Sequence, residues 1–178
     1  MSRVLGLDLG TRTCGFAISD SDLIIASGLE NFRFFEKNFQ DVYQKTLDYL
    51  QEYKNITSIV IGHPLRMNGT KSQRTVMVEE FKQNLENFLS SNGFELEYHF
   101  YNEQLSTKRA ESVLISANLT RQKRKEFKDK LAAVIILQDY LDDYREATKQ
   151  KQELEVDWSN TDFEDIDLSN VLADFKEV

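Results

Sequence analysis

Apolar residues crowd into Val4 to Leu9 and again into Cys14 to Ser19, with Gly10 to Thr13 between them. Two such runs around a tight turn predict a pair of antiparallel strands. Leu23-Ile24-Ile25-Ala26 begins a third strand that continues toward Phe32. Over residues 39–54 the period lengthens, and Phe39, Val42, Tyr43, Leu47 and Leu50 fall on one helical face. Ser58 to Gly62 is a short continuous apolar run, the pattern of a central parallel strand. A long loop follows, marked by Pro64 and Asn68-Gly69. Val78, Phe81, Leu85, Phe88 and Leu89 predict a helix over 75–91, stopped by Asn92-Gly93.

Phe94 to Tyr101 alternates as FELEYHFY and reads as a strand with one wet face. Ser106 or Thr107 opens a further helix as its N-cap, and residues 125–145 form the most apolar helix, around LAAVIILQDYL. The order β-β-β-α-β-α-β-α-α predicts an α/β domain, a mixed five-stranded sheet with helices on its faces, over residues 1–148. Residues 149–178 form an acidic C-terminal extension. Its scattered anchors, Trp158, Phe163, Ile166, Leu168, Val171, Leu172 and Phe175, are too many for a purely solvated tail, and a short docking helix near 168–176 is expected.

A length of 178 residues suits one domain with a real core, and 40% hydrophobic with 29% charged residues is ordinary for a globular protein. One cysteine, Cys14, excludes an intramolecular disulfide, and with two histidines no zinc cluster is expected. Met1-Ser2-Arg3 leads into no long apolar segment, and no apolar run reaches about 18 residues, so neither signal peptide nor membrane span is expected. The setting these imply is cytoplasmic. The net charge of -8 is unevenly spread: residues 155–178 hold eight acids and one lysine, while residues 1–154 hold 22 acids and 21 bases. The acidity therefore belongs to the extension and does not exclude a nucleic-acid substrate.

One acid breaks the pattern. Asp8 sits inside an apolar strand, where Asp is disfavoured and seldom buried without a partner. It is either a hydrogen-bonded acid near a turn or a ligand. Asp8 lies toward the carboxyl end of the first strand, Glu103 follows the 94–101 strand, and Asp129 opens the last long helix. All three converge at one sheet end if the first and fifth strands are near neighbours, and open α/β sheets bind ligands there. Crowded carboxylates raise a pKa or recruit a cation, and an oxygen-only set suits Mg²⁺ or Mn²⁺. Two such ions about 3.5–4 Å apart activate a water and stabilise the departing oxygen of a phosphodiester.

The segments GLDLGTRTCGFAISD, VIGHPLRMNGT, YNEQLST and KDKLAAVIILQDYL resemble, in order, four signatures of the bacterial Holliday-junction-resolvase-like family, also called the pre-16S ribosomal RNA nuclease family. The resemblance spans residues 3–144. It implies a ribonuclease H-like fold, a divalent-metal nuclease site, and a role in maturing the 5′ end of small-subunit ribosomal RNA. The family's catalytic and metal-binding acids fall on Asp8, Glu103 and Asp129. The third signature commonly reads Asp-Glu-Arg-Leu-Ser-Thr where this chain has Asn102-Glu103-Gln104-Leu105-Ser106-Thr107, which weakens ion pairing around Glu103. The second commonly has Leu where His63 stands; His63 reads as a substituted packing or surface residue, with acid–base chemistry as the alternative.

Around the acids, Gly10-Thr11-Arg12 offers a permissive backbone, a hydroxyl and a guanidinium suited to phosphate. Asn68, Thr70 and Lys71 are substrate candidates in the long loop, and Ser106 and Thr107 are helix caps first and ligands second. Residues 121–130, RQKRKEFKDK, hold six bases and two acids, and Lys123, Arg124 and Lys125 there suit a phosphate backbone. Cys14 reads as a small buried residue. The expected substrate is structured RNA such as pre-ribosomal RNA, alone or in a ribosomal precursor. Alternatives are cleavage of branched DNA by a Holliday-junction resolvase-like endonuclease, and a non-catalytic RNA- or ribosome-binding module. An actin-like or sugar-kinase ATPase shares an Asp-x-Gly-Thr loop but needs a second related domain for which 178 residues leave no room.

The extension is read as regulatory or partner-facing. A chain ending after Leu154 is expected to fold, to cleave, and to bind RNA at least as well at low salt. A thermal melt checks it: a loss of several kcal/mol, as from stripping anchors worth roughly 1.5–3 kcal/mol each, makes the extension part of the core instead.

Overall fold

In strand β1 (Arg3–Leu9), Leu5, Leu7 and Leu9 are fully buried on one side, while Val4, Gly6 and Asp8 turn to the other. That alternation sets the layers of the domain. A computed structural model describes residues 2–65, 70–102 and 121–159, with side chains in the last stretch described over 131–152. The elements after β1 are β2 (Thr13–Ser19), β3 (Ala26–Arg33), α1 (Phe39–Glu52), β4 (Ile56–His63), α2 (Gln73–Ser91), β5 (Glu97–Asn102) and α3 (Arg121–Ser159). They form one five-stranded sheet in the order β3-β2-β1-β4-β5. The β1–β2 and β2–β3 pairs are antiparallel, and β1–β4 and β4–β5 are parallel, so the sheet is mixed as expected.

Two apolar layers cover it. Leu5, Leu7, Leu9, Phe16, Ile59 and Ile61 pack with Val42, Leu47 and Leu50 of α1 and Val78, Phe81 and Leu85 of α2. On the other face Val4, Ala17, Val60 and Tyr101 pack with Ala133, Ile136, Leu137 and Leu141 of α3. That second face is built from small residues where α3 crosses. Gly6 pairs with Ala17, and Ala17 with Gly28, in a row across three strands. A Cβ on Gly6 would lie 2.9 Å from Leu137 Cβ, one on Gly15 3.1 Å from Ala133 Cβ, and one on Gly28 3.1 Å from Val134 Cγ2. Missing side chains thus admit the helix.

Several boundaries differ from the sequence expectation. The third strand starts at Ala26, not Leu23, because the Asp20 carboxylate accepts hydrogen bonds from the amides of Ile24 and Ile25 at 2.7 and 3.1 Å. That local partner competes with a strand ladder. Gln138 of α3 then takes over, accepting from the Ala26 amide and donating to the Ile24 carbonyl, each at 2.9 Å. Strand β5 begins at Glu97, not Phe94. Gly93 has φ +84°, the Phe94 amide returns to the Leu89 carbonyl and the Gly93 amide to that of Ser90, closing α2 with a Schellman motif.

Helix α2 begins at Gln73, and α3 spans Arg121–Ser159 rather than 125–145. Residues 145–152 are exposed, and they lack Gly and Pro, so local propensity carries the helix on. The chain divides into two compact units, Met1–Asp143 and Tyr144–Val178. The helices expected from residue 106 and near 168–176 lie outside the described residues. No helix among the described residues is long and apolar enough to cross a membrane.

The row of small residues yields a test. Gly6→Ala forces Leu137 or its helix outward and is expected to cost about 1–3 kcal/mol, as overpacking does. Gly93→Ala, strained by a positive φ but in open space, is expected to cost about 1 kcal/mol. Urea denaturation of the two variants checks both.

Candidate functional site

Asp8 points to the α3 face because β1 alternates, and it stays accessible because β1 ends one residue later. Its side chain is 22% exposed. Its cross-strand partner is Gly15, and a Cβ there would come within 3.6 Å of Asp8 Cβ and 3.1 Å of Ala133 Cβ. The carboxylate therefore stems from a point near the end of β1 where β1, β2 and α3 are closely packed. Position 129, an α3 residue, precedes Ala133 by one helical turn.

Beyond β1 toward the other edge stands β4, then β5. Leu7 pairs with Ile61, Gly62 with Tyr101, and His63 with Asn102. The first and fifth strands are thus separated by β4 rather than adjacent, a span of roughly 10 Å at the usual strand spacing. Gly62, next to the end of β4, contributes no side chain to that interval.

The first turn of α2 closes in from the side. Ser72 caps the helix: its hydroxyl accepts from the Thr75 amide at 3.1 Å, and its own amide donates to Thr75 Oγ1 at 3.0 Å. Thr75 Oγ1 donates in turn to the Pro64 carbonyl at 2.5 Å, tying the cap to the end of β4. This anchoring aims Arg74 at β1. Its Nη2 lies 3.6 Å from Asp8 Oδ1 and donates to the Leu9 carbonyl at 3.4 Å.

Other predicted site residues are held by neighbouring acids. Arg12 pairs with Glu36 at 2.5 Å, and that pairing lowers the Glu36 carboxyl below its usual range. The Thr11 and Arg12 carbonyls accept from the amides of Lys37 and Phe34, so the turn leans on the segment before α1. Lys71 pairs with Glu79 at 2.7 Å, and His63 Nε2 lies 3.1 Å from the other Glu79 oxygen; Lys71 first, then His63, keeps Glu79 easily ionised. His63 also stacks on Phe100, with ring centroids 4.6 Å apart, which gives it a packing role. Thr70 is exposed. Cys14 is fully buried among the leucines of the opposite face, and burial, with the Asp8 charge, pushes its thiol well up, so it stays protonated.

Glu103, Asn68, Ser106 and Thr107, and the side chains of Lys123, Arg124, Lys125 and Asp129, lie outside the described residues. Among the described residues no group of three or more His, Cys, Asp or Glu is placed to hold a metal ion. Sequence reasoning missed Arg74, Glu36 and Glu79 as partners. Only Arg74 carried a signal, as a base at a helix start beside the long loop.

Residues 2–143 match the family described as "RuvX: Holliday junction resolvase". The chain belongs to the RuvX family. The RuvX match ends at residue 143, where the first compact unit also ends. A Mycoplasmopsis pulmonis protein named "Putative pre-16S rRNA nuclease" is 42% identical over 143 residues, 80% of this chain and 94% of that protein. A Bacillus mycoides protein of the same name is 43% identical over 140 residues, 79% of this chain and 98% of that one. The structure of T. thermophilus RuvC in complex with a Holliday junction substrate aligns with a TM-score of 0.55 at 12% identity, covering 83% of this chain and 98% of that one. At that identity the likeness is one of fold, and the RuvX chain has the ribonuclease H-like α/β architecture.

The donor chemistry fits a hard divalent cation. Asp8 presents a carboxylate at an open strand end, and neither His nor Cys side chains compete there, since Cys14 faces the other layer and His63 is engaged by Glu79 and Phe100.

Proposed function

We propose that this chain is a divalent-metal-dependent phosphodiesterase that cuts structured RNA in the cytoplasm, in maturation of the 5′ end of pre-16S ribosomal RNA. The observation that carries it is Asp8, an accessible acid at the carboxyl end of the central strand of a RuvX-family chain. Asp8, Glu103 and Asp129 are the residues that hold Mg²⁺ or Mn²⁺. Asp8 is fixed by β1 and by the tightly packed helix beyond Gly15, and position 129 lies one turn before the helix residue that meets Gly15. Glu103 follows Asn102 directly at the end of β5. When bound, the ion supplies Lewis acidity that makes water a nucleophile at neutral pH and stabilises the leaving oxygen.

The chain's own residues orient the substrate. Thr11, Arg12, Asn68, Thr70, Lys71, Ser106 and Thr107 are assigned to phosphate and sugar contacts, and Lys123, Arg124 and Lys125 to guiding the backbone toward Asp129. Arg12 and Lys71 each exchange a carboxylate partner for phosphate when substrate arrives. The family's description as Holliday junction resolvase supports a second reading, branched DNA as substrate.

Hydrolysis of matched pre-ribosomal RNA fragments and four-way DNA junctions, with and without Mn²⁺, tests the assignment. RNA is expected to be cut in a metal-dependent way, and Asp8→Asn to lower the rate by about a hundredfold or more, since an ion's charge stabilisation is worth several kcal/mol. Wild-type turnover in Asp8→Asn sinks the site; preference for the junction moves the substrate to DNA.

Replacing Lys123, Arg124 and Lys125 with Ala is expected to weaken binding across sequences. The slope of log affinity against log salt should flatten by roughly 2–3, at about 0.7–0.9 for each phosphate that is no longer neutralised. Fluorescence anisotropy at several salt concentrations measures it, and an unchanged slope returns the segment to ordinary solvated surface.

A further inference from the structure

Asp8 stands partly exposed near the end of β1, and the fold brings a guanidinium to it. Arg74 Nη2 stands 3.6 Å from Asp8 Oδ1, within ion-pair reach but longer than a tight charge-assisted hydrogen bond. Its hydrogen bond to the Leu9 carbonyl, at 3.4 Å, is long as well. The Arg74 side chain is 49% exposed, so water can receive it when it leaves. Its backbone is fixed, because the Ser72–Thr75 cap and the Thr75–Pro64 bond hold the first turn of α2. A fixed backbone therefore brings the guanidinium within ion-pair reach of the carboxylate.

A guanidinium in that place competes with a metal for the same oxygen. We propose that Arg74 is a positioning residue that guards Asp8 in the metal-free protein and sets the metal concentration at which the site fills. With no ion bound, it neutralises Asp8 and keeps the carboxylate turned toward the end of β1. An arriving divalent cation has to displace it, so metal affinity is held below what the carboxylates alone would give. The inference rests on the reading of Asp8 as a metal ligand.

Calorimetric titration of the full chain with Mn²⁺ at low ionic strength tests it. Arg74→Ala and Arg74→Gln are expected to bind Mn²⁺ about three- to tenfold tighter than wild type, as fits loss of a partly exposed ion pair. The gain should shrink as salt screens the pair. Arg74→Lys, which keeps the charge, should stay close to wild type. Metal-free melts supply a readout free of the ion: Arg74→Ala lowers the melting temperature in wild type but less so in an Asp8→Asn background, because the two effects couple.

A merely structural Arg74 would lower the melting temperature equally in both backgrounds and leave Mn²⁺ affinity unchanged or weaker. That result, with Asp8→Asn unable to bind Mn²⁺, overturns the inference and spares the metal site. Mn²⁺ binding by Asp8→Asn equal to wild type overturns the metal reading itself. Should Arg74→Ala loosen the start of α2, Arg74→Gln retains a donor for the Leu9 carbonyl and carries the comparison.

Discussion

The close approach of α3 to the sheet is the constraint on which the rest of this domain depends. A strand face with ordinary side chains holds a helix off by the thickness of those side chains. Here Gly6, Ala17 and Gly28 form a row across β1, β2 and β3, and Gly15 extends the small surface toward the strand end. The helix answers with Ala133, Val134 and Leu137, so van der Waals contact begins at the backbone. Interiors packed to this density tolerate little added volume. The gain is positional. A carboxylate on β1 beside such close packing has few places to go.

That placement explains how an acid survives in so apolar a strand. Full burial of a lone carboxylate would cost several kcal/mol, and the chain avoids it by setting Asp8 one residue from the end of β1. The opposite face of the same strand is closed by Leu5, Leu7 and Leu9, so the strand is anchored from one side while its acid stays wet on the other. Partial exposure leaves the carboxylate within reach of solvent. Close packing and the accessible carboxylate thus use different faces of one strand.

Much of this was legible in the chain. Strands β1, β2 and β4, both helices against the leucine face, and Asp8 itself follow from period and from one acid out of pattern. The start of the third strand did not, because Asp20 captures the Ile24 and Ile25 amides and no periodicity reports a side chain acting on backbone four and five residues on. Phe94 to Leu96 alternate like a strand, yet the positive φ of Gly93 turns the Phe94 amide back onto α2. The site was legible as residue types, not as pairs. Arg74 meets Asp8, Arg12 meets Glu36 and Lys71 meets Glu79 only after folding. The use of glycines 6, 15 and 28 as a track for α3 needs the register of three strands.

Those pairs also account for a charge pattern that looks unfavourable for a polyanion. Residues 1–154 are nearly neutral, and the bases around Asp8 that the structure describes are matched by acids rather than massed in a positive field. Exposed ion pairs are worth about 0–1 kcal/mol each, so Glu36 and Glu79 hold Arg12 and Lys71 only weakly. The matched acids also lower the net positive field that would attract a polyanion non-specifically. At the sheet end Asp8 stands between the end of β1 and the helix that Gly15 lets in.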